Sequence, residues 1–540
     1  MKKDNIVKKS KMNLLALVIL SLFVNLALFS QTENPPQSPD LSVNLSNEEK
    51  KTDEKENDLL KAILKTPEEL PEGENINEIT ILNIDDCILI ALEKNNTLQN
   101  SKRDLLGSDS SLRSARAEFL PHTTISANTT YSTSDVEGFH TRHLSEGIGI
   151  DISQRVPTGG RNAGLSISTD YGKDRFKFTP NDVTEDYRQY NSNASIEFTH
   201  PLLQGAGKEI GMSNLNLAKI SNEQAKIGYV LDKRDVIVRV ISGYNNILSS
   251  KLQIKVSQSA VDDRKRLHQE ALIRYNLGLV AESEVLRAEV QLLSEQTNLI
   301  SVMQTYDEAV DSLLITLGLP LSEVIRVIEN IPSKKEIYAP MPDLDNCIKS
   351  ALQDKLEIKG AQLVVKSAEI RYKVASNNTL PILDFFTSFS VSDVDREFKD
   401  SGGLKNPYYD VGLDFSMPFP NIENREARYQ AKLDLDTAEN NLEIITRNTI
   451  KDVKSAYRDL QTIKEQIKID EKNLEQARKS LELENGRFKF GLNTSNDVIV
   501  AQDALLRAES NYIRRLLNFK IVYTNFLVTI GQPVSKYNEK

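Results

Sequence analysis

Few residues of this chain are of types that do chemistry unaided. The run Gly205-Ala206-Gly207-Lys208 has the glycines and lysine of a loop that wraps a phosphate in backbone N–H groups. Glu209 follows, however, where such a loop needs a Ser or Thr hydroxyl, and Leu202 stands where its first glycine belongs. The run therefore reads as the link between a strand and a helix. The histidines, His122, His140, His143, His200 and His268, have no paired spacing that would set two imidazoles on one helix face for a metal, and His140 with His143 is expected in an exposed loop. Cys87 and Cys347 are the only cysteines. A disulfide between them is possible in an exported chain, but two buried, unpaired thiols are the expected state. No nucleophile is set beside a base, so the chain reads as a non-enzyme that needs neither cofactor nor metal.

Both cysteines belong to a larger pattern, which supplies the elements that position everything else. A shift of 260 places Asp85, Cys87, Ile88, Ala91, Leu92, Ala115, Leu120 and Pro121 on Asp345, Cys347, Ile348, Ala351, Leu352, Ala375, Leu380 and Pro381. Farther on, a shift of 213 places Arg274, Gly278, Leu279, Val285, Ala288, Gly318 and Pro320 on Arg487, Gly491, Leu492, Val498, Ala501, Gly531 and Pro533. The period is far above that of solenoid repeats, so the chain is one long unit duplicated. Equivalent positions in two such halves are held apart, which is why free thiols are expected. Residues 79–335 form the first repeat and 336–540 the second. The drop in offset leaves 47 more residues in the first repeat between its opening helix and its long helix. Arg161 to Lys173 and the polar run Thr179 to Tyr190 are the candidates for that excess, as an added hairpin that either extends a wall of strands or projects as a loop.

Ahead of the repeats, Lys2, Lys3, Lys8, Lys9 and Lys11 precede an apolar run from Leu14 to Phe29, the layout of a secretory signal peptide over residues 1–30. An uncleaved signal anchor is the other reading. Residues 31–78, rich in Glu, Lys, Asn and Pro, are expected to be a flexible extension. The chain carries 77 acidic against 67 basic residues, a net charge of -10, with no basic cluster beyond the signal region. Nucleic acid is excluded as a partner on that ground.

Each repeat opens with a helical pattern, 84–120 and 344–380, ended by Pro121 or Pro381. Alternating apolar residues follow: Ile125, Ala127 and Tyr131; Ile148, Ile150 and Ile152; Leu165 and Ile167; Ile196 and Phe198; then Phe385, Phe389 and Val391, and Val411, Leu413 and Phe415. Strands are predicted at about 122–200 and 382–418, apolar on one face and polar on the other. A soluble sandwich and a membrane barrel both fit that alternation, and the export signal favours the barrel. Long helices are predicted next, at about 212–276 and 425–488, roughly 95 to 100 Å each at 1.5 Å per residue. Val453, Leu460, Ile467, Leu474, Leu481 and Phe488 recur every seven residues, answered by Val240, Ile247, Ile254, Val261, His268 and Tyr275, which calls for coiled-coil packing. Each long helix turns at Gly278 or Gly491 into a returning helix. A few strands per chain cannot close a barrel, and a narrow apolar seam on such long helices cannot be covered by the chain itself, so an oligomer is implied.

From about Ile84 onward the chain resembles the TolC-type outer-membrane factors of efflux and type I secretion systems. The resemblance rests on the paired openings Asp85 to Leu98 and Asp345 to Ile358, the strand exit Thr199 to Gly207, and the turns Arg274 to Ala281 and Arg487 to Thr494. It implies an α+β membrane protein: a homotrimeric outer-membrane β-barrel of twelve strands, four per chain, continued by a periplasmic α-helical barrel. Implied partners are outer-membrane lipid, a periplasmic adaptor (membrane fusion protein) and an inner-membrane transporter. By match, Gly278, Leu279, Val280 and Ala281 with Gly491, Leu492, Asn493 and Thr494 would meet the adaptor at the periplasmic tip. Asp497 and Glu284 would form an acidic, cation-preferring constriction, although Val500 and Asn493 stand where the family has a second acidic and a tethering basic residue. The chain would then be a passive exit duct; a non-pore periplasmic coiled-coil spacer is the alternative.

Overall fold

The computed structural model describes residues 80–533 apart from 137–138, 158–163, 180–184 and 330. The expected signal peptide and the extension to residue 78 lie outside the described residues, as does Arg161 to Ala163. In the first repeat, β1 (Thr80–Leu82) leads to α1 (Ile84–Lys94) and α2 (Asn96–Ala117). Four long strands follow, β2 (His122–Val136), β3 (Phe139–Arg155), β4 (Gly164–Thr179) and β5 (Glu185–Pro201). Then come α3 (Ser213–Asn276), α4 (Glu282–Leu317) and β6 (Ile325–Val327), which pairs in parallel with β1. The second repeat has α5 (Leu344–Asp354), α6 (Leu356–Asn377), β7 (Ile382–Asp395), β8 (Asn406–Ser416), α7 (Ile422–Lys489) and α8 (Ser495–Thr529).

The opening segments are each two helices, not the single helix expected over 84–120 and 344–380. Asn95 breaks the first: its ψ of 122° is extended, its side chain accepts from Leu98 N–H, and its Nδ2 donates to Thr316 O at 2.7 Å. The end of α4 thus docks into the break. Gly318, at φ 73°, comes so close that a Cβ there would collide with Lys94 O. Lys355, with ψ 121°, breaks the second segment at the equivalent place. Such a break depends on a partner more than 200 residues away and leaves no trace in local periodicity.

Duplication is visible in the cores. Cys87, Ala91, Val240, Ile247, Leu313 and Leu317 are buried together, and Cys347, Ala351, Val453, Leu460, Phe526 and Ile530 form the matching cluster. The heptad positions are the buried ones along α7, with Leu474 half-buried. On α3 the stripe holds from Val240 to Val261, then Leu267 and Ala271 take over from His268 and Tyr275, because 3.6 residues per turn drifts against a strict repeat of seven. At 64 and 68 residues, α3 and α7 span roughly 96 and 102 Å at 1.5 Å per residue. Beside each, a returning helix covers the far half and α2 or α6 the near half.

All six long strands form one antiparallel sheet in the order β2-β3-β4-β5-β7-β8. The four strands per chain implied by the resemblance are thus corrected to six among the described residues. Among the described residues the excess of the first repeat adds a hairpin to the wall, β3 and β4 being paired in register with β2 and β5 over nearly all their length. Of the candidate runs, Gly164 to Lys173 lies in β4, while Thr179 to Tyr190 falls partly on β5 and partly outside the described residues. One row, Thr123, Ile152, Ile167, Ile196, Phe389 and Tyr409, crosses every strand on the apolar face. Along β5 that face runs from Phe198 to Tyr190, about 26 Å at 3.3 Å per residue. Large apolar side chains there stand open, Ile125 at 74% and Val411 at 67% exposure. The opposite face carries Thr124, Asp151, Ser168, Ser195 and Ser390 in one row. His143 sits on this face within β3, its Nε2 3.1 Å from Asp174 Oδ1, so His140 and His143 lie in a strand and not in a loop.

Candidate functional site

The two helix turns are built alike because the same backbone problem is solved twice. A long helix must stop and reverse, and a residue in the left-handed region lets the last carbonyls find donors. Gly278 and Gly491 both have φ 71°. In the first turn, Gly278 N–H donates to Tyr275 O at 2.8 Å and Leu279 N–H to Arg274 O at 2.9 Å; Gly491 and Leu492 repeat this on Phe488 and Arg487. Space around both glycines is open, so backbone torsion alone demands glycine there.

What the turns present is large and apolar. Leu277 is 68% exposed, Leu279 70%, Phe490 83% and Leu492 75%. Of the residues matched to the adaptor-contacting tip, Ala281 and Thr494 serve as N-caps of α4 and α8, and Val280 is half-buried. Asn493 folds back, its Nδ2 donating to Glu484 O at 3.1 Å and Oε2 at 2.7 Å. Leu277 and Phe490 were not among the matched positions, although an apolar residue just before each turn glycine is a readable signal.

The two turns are tied together. Arg274 lies with its guanidinium carbon 3.8 Å over the Phe488 ring and donates from Nη2 to Phe488 O at 2.5 Å. The Ser495 hydroxyl donates to Glu284, which also pairs with Arg287 at 3.3 Å. Behind them Leu267 of the first hairpin packs with Leu481, Phe488, Val498 and Ile499 of the second. Asp497 closes a capping box, accepting at Oδ2 from Thr494 N–H at 2.9 Å and from the Thr494 hydroxyl at 2.8 Å. Those two bonds, the backbone one first, hold its carboxyl below the usual range. Asp497 is therefore first a helix cap, with its charge turned to solvent.

Elsewhere, the Gly205-Ala206-Gly207-Lys208 run is the link between β5 and α3, and Gly205 N–H is already given to Asn377 Oδ1 at 2.6 Å. Cys87 and Cys347 are free and buried. Burial pushes the Cys87 thiol up to about 12, with Asp86 adding to the shift. Among the described residues no group of three or more His, Cys, Asp and Glu is arranged to hold a metal, and no helix is long and apolar enough to cross a membrane.

A sheet with an apolar band on one face, leading into duplicated coiled-coil hairpins, defines the class of outer-membrane channels with a helical extension. The chain belongs to the outer membrane efflux protein family, whose model matches residues 88–319 and 347–527, one stretch in each repeat. Outer membrane protein TolC of Escherichia coli (strain K12) is 24% identical over 368 residues, 66% of this chain and 73% of that one. The pyoverdine export outer membrane protein OpmQ of Pseudomonas aeruginosa is 23% identical over 288 residues, 52% of this chain and 58% of that one. Among solved structures, the outer-membrane channel OprN is similar with a TM-score of 0.65 at 15% identity, covering 84% of this chain and 90% of that one. VceC of Vibrio cholerae is similar at 0.62 and 15%, covering 84% and 97%. The protein is an outer-membrane efflux channel of α+β fold.

Proposed function

We propose that three copies assemble into one duct, an exit passage that receives cargo from an inner-membrane transporter through a periplasmic adaptor. The observation that carries this reading is the placement of the turns. Leu277, Leu279, Phe490 and Leu492 stand exposed at the ends of helices of about 100 Å, and β5 and β8 feed the opposite ends of those helices. An apolar knob that far from the membrane band suits the helical tips of a partner bridging the periplasm. With three copies, Glu284 and Asp497 of each chain sit at the mouth, where carboxylates raise local cation density. The non-pore spacer is disfavoured by the sheet, whose apolar face would have no purpose away from lipid. Purified protein in planar bilayers tests the proposal: a steady, cation-preferring single-channel current from a three-copy particle is expected, and a three-copy particle without current refutes it. Whether small molecules, ions or proteins are carried is read by pairing the channel with its transporter.

A further inference from the structure

We infer that the barrel of this protein has eighteen strands, because the hairpin β3–β4 adds a full pair of wall strands to every chain. The inference rests on the three-copy reading above. Three observations support it. First, the hairpin is flanked on both sides by long antiparallel partners, from His122↔Ser153 to Val136↔Phe139 and from Gly164↔Thr199 to Phe178↔Glu185. A loop lying outside the wall would leave β2 and β5 to pair with each other.

Second, the hairpin continues both surfaces of the wall without interruption. Its Ile148, Ile150, Ile152 and Ile167 extend the apolar band between Ile125 and Ile196, and its Asp151, Ser168 and Asp170 extend the polar face. The free edges are then β2 and β8. Six is an even number of alternating strands, so β8 of one copy meets β2 of the next antiparallel, as closed outer-membrane barrels require.

Third, the girths agree. Eighteen strands about 4.8 Å apart, tilted about 40°, make a wall about 113 Å around, whereas twelve make about 75 Å. Each chain contributes four helical columns at any height, namely α3, α7 and one shorter helix beside each. Twelve columns about 9.5 Å apart measure about 114 Å around. The wider barrel therefore meets the helical tube without a step. Its backbone diameter is about 36 Å, against about 24 Å for twelve strands. After about 5 Å of side chain on each wall, the bore is about 26 Å, enough for two α-helices of 10–12 Å side by side. The outer portal thus passes polypeptide that keeps helical structure, and size exclusion falls to the tip.

Site-directed labelling of the trimer in lipid nanodiscs tests this. A membrane-impermeant maleimide is expected to label Asp151→Cys and Ser168→Cys and to spare Ile150→Cys and Ile167→Cys. Equal labelling of all four means a solvated loop and overturns the inference. Electron cryomicroscopy of the same particles gives a second readout. Eighteen strands around three copies agree with it; twelve around three copies overturn it and leave the duct reading standing. A particle of some other copy number overturns the reading beneath both.

Discussion

Replacing Arg274 by alanine is expected to loosen the tip and leave the barrel untouched. Its guanidinium joins α3 of the first hairpin to the end of α7 in the second, through the Phe488 ring at 3.8 Å and the Phe488 carbonyl at 2.5 Å. A cation–π contact at a partly open site is worth about 0.5–1 kcal/mol, and a hydrogen bond from a charged donor about 1.5–3. Because Arg274 is only half-buried, the lower part of those ranges applies, and the pair together contributes about 2–3 kcal/mol. At 1.4 kcal/mol per factor of ten, the balance between packed and splayed turns moves about 30- to 150-fold toward splayed. Single-channel recording should show a larger mean conductance, and Phe488→Ala, which keeps the carbonyl but also empties the cluster with Leu267, Leu481 and Val498, should loosen the tip further on top of Arg274→Ala. Arg274→Lys should fall between, keeping the charge without the planar fork. Unchanged conductance from an intact trimer refutes the claim that this contact holds the turns together.

Valine at Gly278 and Gly491 forces a β-branched residue to φ near +71°, at a cost of at least about 1–2 kcal/mol each; the channel should still insert and conduct, while transport with its adaptor fails. Loss of insertion would mean the turns are misplaced. Serine at Leu277 and Phe490 should weaken adaptor capture in a pull-down without changing single-channel conductance. The Asp497 carboxyl is held below its usual range, so its capping contribution is complete above the unfolded carboxylate range and is lost as pH falls through the depressed folded value. Amide exchange at residues 495–499 should thus show constant protection, corrected for intrinsic rate, from pH 8 to 5, and Asp497→Asn should lower it throughout that window. Cys87, raised to about 12 by burial, should resist iodoacetamide at pH 8 until the protein is unfolded; prompt labelling of the folded channel would contradict its place in the core.

Periodicity and self-similarity told the chain's large-scale order because they are local quantities repeated many times. Val453 to Phe488 at steps of seven specify a buried seam whatever they pack on, and Ile125, Ile150 and Phe389 with their polar neighbours specify a two-faced strand. Gly278 and Gly491 mark reversals because only glycine takes that torsion cheaply. On these grounds the sequence by itself determined the duplicated unit, the strand regions, the long helices and the turns. The rest depends on residues far apart in the chain. Asn95 breaks a helix for the sake of Thr316, Arg274 finds Phe488 across more than 200 residues, and β3 and β4 join the wall because β2 and β5 offer free edges in the right register. Only the tertiary structure decided these, since a hydrogen bond or a strand pairing belongs to two segments at once and neither segment's own pattern records its partner.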